Sequence, residues 1–225
     1  MELPPPFREQ DGQIAIDLPG ARAIFTTRSW GDARETWREI GARLGVTIVA
    51  GKQAHGTEVM SILSTTGHFF PSDREADAVI TPTSGIAPMV LTADCLPIVI
   101  ASPRAVAVVH AGWRGLAAGI IGGAVTALRE LSAGVMHAAI GPGAGACCYG
   151  VGEELHRRFK ARSQDFHRGR NLDLKAIARV QLMESGVASI HDAGLCTICG
   201  DAARLFSHRR EGSLAGRHAA VAWLT

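Results

Sequence analysis

Three short segments hold the residues best suited to chemistry: Gln53-Ala-His55-Gly-Thr57, Thr92-Ala-Asp94-Cys95-Leu-Pro97 and Val109-His110-Ala-Gly112-Trp-Arg114-Gly115. Each sets a metal-competent side chain at the end of an expected strand, beside Gly or Pro. His55 and Cys95 stand forty residues apart, and Cys95 and His110 fifteen, so no local metal-binding spacing applies. Two His and one Cys suit zinc, and three protein ligands leave a fourth position for water, as in catalytic sites. Such a zinc lowers the pKa of its water to about 7. The same residues also fit a metal-free hydrolase with Cys95 as nucleophile and His110 as base. A core Cys and a backbone-bonded His are the bland reading. Residue types and spacing leave these choices open.

The elements that must position these residues are legible in outline. Strands are expected at 13–18 and 22–27, joined by Pro19-Gly20, a turn dipeptide. A helix follows, with Trp37, Ile40 and Leu44 on one face and Gly45 as its stop. Short apolar or β-branched runs predict strands over 59–63, 76–81, 88–92, 98–101 and 106–110. Such near-continuous runs are buried on both faces and must be covered by helices or a second sheet. Helices are expected over 117–131, 152–162 and 174–185, and a last strand over 219–224. The class is α/β, with α+β the alternative: a single layered domain over 1–225, with mixed sheets flanked by helices.

At 225 residues the chain can build one generous core. A net charge of +2 is too small to predict nucleic-acid binding. The most apolar stretch, 86–109, is interrupted by Asp94, Arg104 and prolines, so no membrane span is expected. The start has neither a basic nor an apolar leader region, and five cysteines make a poor disulfide framework. A reducing cytoplasm is the expected compartment. Cys196-Thr-Ile-Cys199 reads as a redox pair or half of a metal site, which Cys147 and Cys148 could complete as a four-cysteine structural site. His68, His137, His156, His167 and His191 are given no role.

The three segments resemble the signature of the bacterial laccase-domain family, long described as multicopper polyphenol oxidases. The resemblance runs from Phe25-Thr-Thr-Arg28 to the C-terminus. It takes in Ile140-Gly-Pro142, Cys147-Cys-Tyr-Gly-Val-Gly152, Asp173-Leu, Arg179-Val-Gln-Leu182, Cys196-Thr197 and Phe206-Ser-His-Arg-Arg210. It implies a single α/β domain with layered sheets, and zinc (with copper less favoured) on His55, Cys95 and His110. It also implies purine nucleosides and phosphate as substrates: phosphorolysis of adenosine, inosine and methylthioadenosine, and deamination of adenosine. Departures occur at Ser29-Trp-Gly-Asp, where family members carry a longer Gly-Gly-Val-Ser loop. His208 replaces a usual aromatic residue, and Gly216-Arg217-His218 a usual Gly-Arg-Met. These changes imply a different pocket rim.

Phosphorolysis needs an anion site. The turn after His110 offers helix N-terminal N–H groups with Arg114 at hand, and Arg28, Arg209 and Arg210 are further candidates. Deamination needs an acid near the metal: Asp94 first, Glu58 second. Asp94 equally suits the task of orienting a His ligand. The rivals are a copper oxidase of phenols, which needs many more histidines, the cysteine hydrolase, and a non-catalytic partner protein.

Overall fold

Apolar runs without polar alternation need cover on both faces, and a computed structural model, describing residues 3–64 and 72–225, shows how they get it. His68 lies outside the described residues. Along the chain the strands are β1 (Arg8–Gln10), β2 (Gln13–Leu18), β3 (Ala21–Thr26), β4 (Thr47–Val49), β5 (Val59–Ser61), β6 (Ala78–Thr81) and β7 (Ile86–Thr92). They continue as β8 (Leu96–Ser102), β9 (Ala105–Ala111), β10 (His137–Ile140), β11 (His167–Arg168), β12 (Asn171–Leu172), β13 (Ser189–Asp192) and β14 (His218–Leu224). The helices are α1 (Ala33–Leu44), α2 (Trp113–Ala118), α3 (Ile120–Leu131), α4 (Glu153–Lys160), α5 (Leu174–Glu184) and α6 (His208–Glu211).

Two six-stranded mixed sheets face each other. One has the order β1-β2-β3-β14-β7-β4, the other β13-β10-β8-β9-β6-β5. Only β4–β7, β5–β6 and β10–β13 pair in parallel; the other pairs within these two sheets are antiparallel. Strand alternation sorts the core. Val106 and Val108 of β9 pack between the sheets with Val99, Phe25 and Ala220. Ala105, Ala107 and Val109 of the same strand face Ile120, Ile121, Ala124 and Leu128 of α3. On the outside of the first sheet, α1 packs Ile40 and Trp37 against Met89 and Val221. The layers therefore run helix, sheet, sheet, helix, which is the α/β class expected.

The helix expected over 117–131 is two helices. Gly119 has a left-handed φ of 93°, closes α2 by donating to the Gly115 and Leu116 carbonyls, and caps the start of α3. The first of them starts earlier than expected, at Trp113, because the chain turns at Gly112 immediately after β9. Strands β1, β4, β10, β11, β12 and β13 were not expected; each is two to four residues long.

His218 opens β14 with both ring nitrogens buried. Its Nε2 accepts from the Phe206 N–H at 2.7 Å, and its Nδ1 finds no partner among the described residues. Burial pushes this imidazole down to about 4. The unfolded chain takes up a proton near pH 6.5 that the folded chain refuses. Stability present above pH 6.5 is therefore lost as pH falls through about 4, to the extent of on the order of 3 kcal/mol. His218→Met should flatten the acid limb of a plot of thermal midpoint against pH. An unchanged acid limb would show that other groups govern it.

Candidate functional site

Antiparallel pairing of β8 with β9 sets Leu96 opposite Ala111 and Pro97 opposite His110. Cys95, one residue before β8, therefore meets the end of β9. Gly112 sits over it so closely that a Cβ there would lie 2.9 Å from the Cys95 sulfur and 3.4 Å from His55 Cδ2. The third group, His55, arrives on the loop after β4. Its ring stands edge-on to that of His110, with centroids 4.8 Å apart and planes at 79°. One ligand atom from each of His55, Cys95 and His110 lies within 4.8 Å of the others. The three residues thus converge, although His55 stands on a loop and not at the strand end expected of it, with His110 buried and His55 exposed.

A residue not singled out in the sequence holds this arrangement. Asp77, 1% exposed, stands one residue before β6. Its carboxylate accepts four hydrogen bonds: Ala54 N–H (3.1 Å) and Gly56 N–H (2.7 Å) on Oδ2, His55 N–H (3.0 Å) and His110 Nδ1 (2.7 Å) on Oδ1. The three successive N–H groups secure His55 in its left-handed conformation, φ 61°, which a non-glycine residue rarely adopts. The bond to Nδ1 fixes the His110 ring and leaves Nε2 for a ligand. Burial opposes ionisation of Asp77, but His110 and the Gly56 and Ala54 amides hold its carboxyl below the usual range. A lone acid inside the apolar run Ala76-Asp77-Ala78-Val79 was the available signal, because a buried carboxylate needs partners.

The electrostatics of the trio fit a cation. Burial would push the Cys95 thiol up, yet hydrogen bonds from His110 and His55 bring it down to about 6. Burial would push His110 down, yet Asp77 and the Cys95 sulfur raise it to about 9. A divalent ion bound here would displace the proton that Cys95 and His110 share, with His110 Nδ1 still held by Asp77. The donor set, with one His tautomer already fixed, suits zinc or another borderline-soft metal.

The trio opens into a cleft of about 690 Å³, within the range of small-molecule sites. Its upper wall includes Leu91, whose backbone is clasped by the Gln53 amide in both directions (2.8 and 2.7 Å), an extension of the β4–β7 ladder by a side chain. Trp113 and Tyr149 present aromatic surface, with Arg114 lying 4.5 Å over the first ring and Arg209 5.0 Å over the second. Lys52, Arg34, Arg217 and His208 also line it.

The expected polar residues divide between cleft and scaffold. Arg114 and Arg209 line the cleft. Arg28 and Arg210 are not among its lining residues. Arg28 pairs with Glu211 and lies over Phe206, while Arg210 spends its guanidinium on Glu211 and on the Thr197, Ile198 and Leu205 carbonyls. Asp94 is the sole carboxylate among the described residues lining the cleft, and Glu58 is not one of them. Asp94, at φ 90°, accepts from the Thr197 hydroxyl and the Arg209 N–H, both at 2.6 Å. The task of orienting a His ligand, considered for Asp94, falls to Asp77. Cys147, Cys148, Cys196 and Cys199 form a second gathering of metal-competent atoms. No helix among the described residues is long and apolar enough to cross a membrane.

The chain is similar to known proteins in both sequence and fold. The family described as "Multi-copper polyphenol oxidoreductase laccase" matches residues 29–225. A Xylella fastidiosa protein named purine nucleoside phosphorylase is 40% identical over 188 residues, spanning 77% of this chain and 70% of its own length. An Escherichia coli protein, named purine nucleoside phosphorylase YfiH, is 34% identical over 182 residues, 77% of this chain and 72% of that one. Among solved structures, YlmD from Geobacillus stearothermophilus superposes with a TM-score of 0.83 at 27% identity, covering 97% of this chain and 98% of its own. A Neisseria meningitidis protein does so at 0.79 and 27%, covering 95% and 99%.

Proposed function

The chain belongs to the multi-copper polyphenol oxidoreductase laccase family, and from that premise we propose that it is a zinc-dependent purine nucleoside phosphorylase that also deaminates adenosine. Adenosine, inosine and methylthioadenosine are the proposed nucleosides. The observation that carries the proposal is the convergence of His55, Cys95 and His110 at the foot of a cleft lined by aromatic rings and cations, in a chain whose relatives are named for phosphorolysis. Zinc is favoured over copper because the trio offers two imidazoles and one thiolate, whereas multicopper oxidation needs many more histidines. Five cysteines free of disulfides suit the reducing cytoplasm as its compartment.

His55, Cys95 and His110 would hold the metal, which when bound supplies a Lewis acid beside the cleft. Trp113 and Tyr149 give the purine flat surfaces. Arg114, with Lys52, Arg209 and Arg217, supplies positive charge for phosphate as it attacks the ribose C1′ and the base departs. Arg28 and Arg210 shape the wall from behind through Glu211. In deamination, water adds at C6 of adenine and ammonia leaves; Asp94, as the cleft's carboxylate, is assigned the proton traffic.

Inosine with phosphate should yield hypoxanthine and ribose 1-phosphate, and adenosine without phosphate should yield inosine. Neither product from zinc-loaded protein would overturn the proposal. Arg114→Ala should raise the phosphate KM and depress phosphorolysis roughly tenfold to a hundredfold through loss of a charge-assisted bond. Deamination, which uses no phosphate, should fall less. Equal losses in one preparation would move Arg114 to the nucleoside or to the fold.

A further inference from the structure

Four cysteines remain unused by the cleft. Cys147 and Cys148 follow the turn after β10, and Cys196 and Cys199 follow β13, so the parallel pairing of these two strands delivers both pairs to one place. Sulfur–sulfur separations are 3.3 Å for Cys147–Cys199, 3.4 Å for Cys148–Cys196 and 3.5 Å for Cys147–Cys148. All four sulfurs lie within 4.8 Å of one another. A tetrahedral ion with metal–sulfur bonds of about 2.3 Å sets its sulfurs about 3.8 Å apart. Packing in a core does not explain this gathering of four thiols, since Cys147 and Cys199 are exposed.

The backbone around the sulfurs has the same character. The Gly145 N–H donates to the Cys196 sulfur at 3.3 Å. A Cβ at Gly145 would sit 3.1 Å from the Cys147 sulfur and 3.2 Å from Cys196 Cβ, so the site is walled by a bare backbone. The Gly200 N–H closes the Cys-x-x-Cys turn onto the Cys196 carbonyl at 2.9 Å. Behind it, Arg210 donates to the carbonyls of Thr197 and Ile198, bringing positive charge against a centre that four thiolates would leave negative.

We propose that Cys147, Cys148, Cys196 and Cys199 form a second, structural metal site that binds one zinc ion as a tetrathiolate, distinct from the His55–Cys95–His110 site. The thiols lose their protons to solvent on binding, and no redox change is involved. The close approach of the sulfurs suits a single ion; an iron–sulfur cluster has several metals to accommodate. The site would clamp two loops that furnish the cleft. Tyr149 follows Cys148 directly, and Thr197, inside the Cys-x-x-Cys turn, donates to Asp94.

The test uses full-length Cys95→Ala, which removes the thiolate of the other site and leaves this one whole. After chelation under reducing conditions, cobalt(II) is titrated in. One equivalent should give the intense visible bands and sulfur-to-metal charge transfer of a tetrahedral thiolate centre, and zinc should displace it. Adding Cys199→Ser should weaken those bands and the affinity. Absence of thiolate bands in Cys95→Ala, with four readily titrated thiols in the presence of zinc, would overturn the proposal. So would two disulfides found by mass spectrometry in the native protein. Because no cysteine of the cluster is altered in the primary test, failure of a cluster variant to fold leaves the result decisive. Loss or retention of nucleoside activity does not enter it.

Discussion

Cys95→Ser should lose the zinc of the His55–Cys95–His110 site and, with it, phosphorolysis by roughly a thousandfold or more, several kcal/mol of transition-state stabilisation. Serine is nearly isosteric and keeps the backbone turn between β7 and β8, so the fold should survive. The hydroxyl, however, stays protonated near neutrality, where Cys95 is already drawn down to about 6 by its two histidines, and it is a poor substitute for a soft thiolate. Elemental analysis should show one equivalent fewer per chain than in the parent protein, whatever the four-cysteine cluster holds. The same pairing of a lowered thiol with a raised His110 is what a cysteine hydrolase would show. That rival predicts an inactive Cys95→Ser protein with undiminished metal, and such a result would displace the zinc enzyme.

The sequence exposed the proposed ligands of this site more clearly than their support. His55, Cys95 and His110 each stand near a Gly or Pro, and residue type alone marks them as able to bind a metal. Nothing in a spacing of forty and fifteen residues says that β8 and β9 are neighbours in register, which is what joins Cys95 to His110. Asp94 is adjacent to Cys95 in sequence, whereas Asp77, at a strand end packed against the His55 loop, is adjacent only in space. Arg28, Arg210 and Arg114 are alike as letters. Only Glu211, which engages the first two, separates scaffold cations from those lining the cleft.

Length and composition decided which elements were legible. Seven-residue β8 and β9 are buried throughout and apolar but for Ser102 and His110, so they read as strands. The four residues of β10, His137-Ala-Ala-Ile140, carry little β-propensity, and their extended form comes from pairing with β8 and β13. The break at Gly119 was hidden because glycine inside an Ala- and Gly-rich run does not announce whether it continues a helix or caps it. The four cysteines illustrate the same limit: a Cys-x-x-Cys and a Cys-Cys pair are visible as letters, but their meeting depends on β10 lying beside β13.

Replacing Asp77 should do more damage than any other change at a residue that touches no substrate. In Asp77→Ala, the His110 Nδ1–H loses its acceptor in a buried setting, and three N–H groups of the His55 loop must turn to water or stay unpaired. Breaking a buried charge-assisted network of this kind is worth about 3–5 kcal/mol of stability, so a marked drop in unfolding midpoint is expected. Asp77→Asn separates support of the fold from control of the metal. The amide fills the same space and can still accept some of the loop's N–H groups. Its NH2 can instead donate to His110 Nδ1, which then becomes the acceptor and shifts the ring proton to Nε2, turning a ligand atom into a donor. Zinc affinity, measured by competition with a chelator, should fall roughly tenfold to a hundredfold, by more than the change in thermal midpoint accounts for. If Asp77→Asn binds zinc as tightly as the parent while Asp77→Ala is merely less stable, the carboxylate serves only to brace the loop, and the tautomer of His110 is set elsewhere.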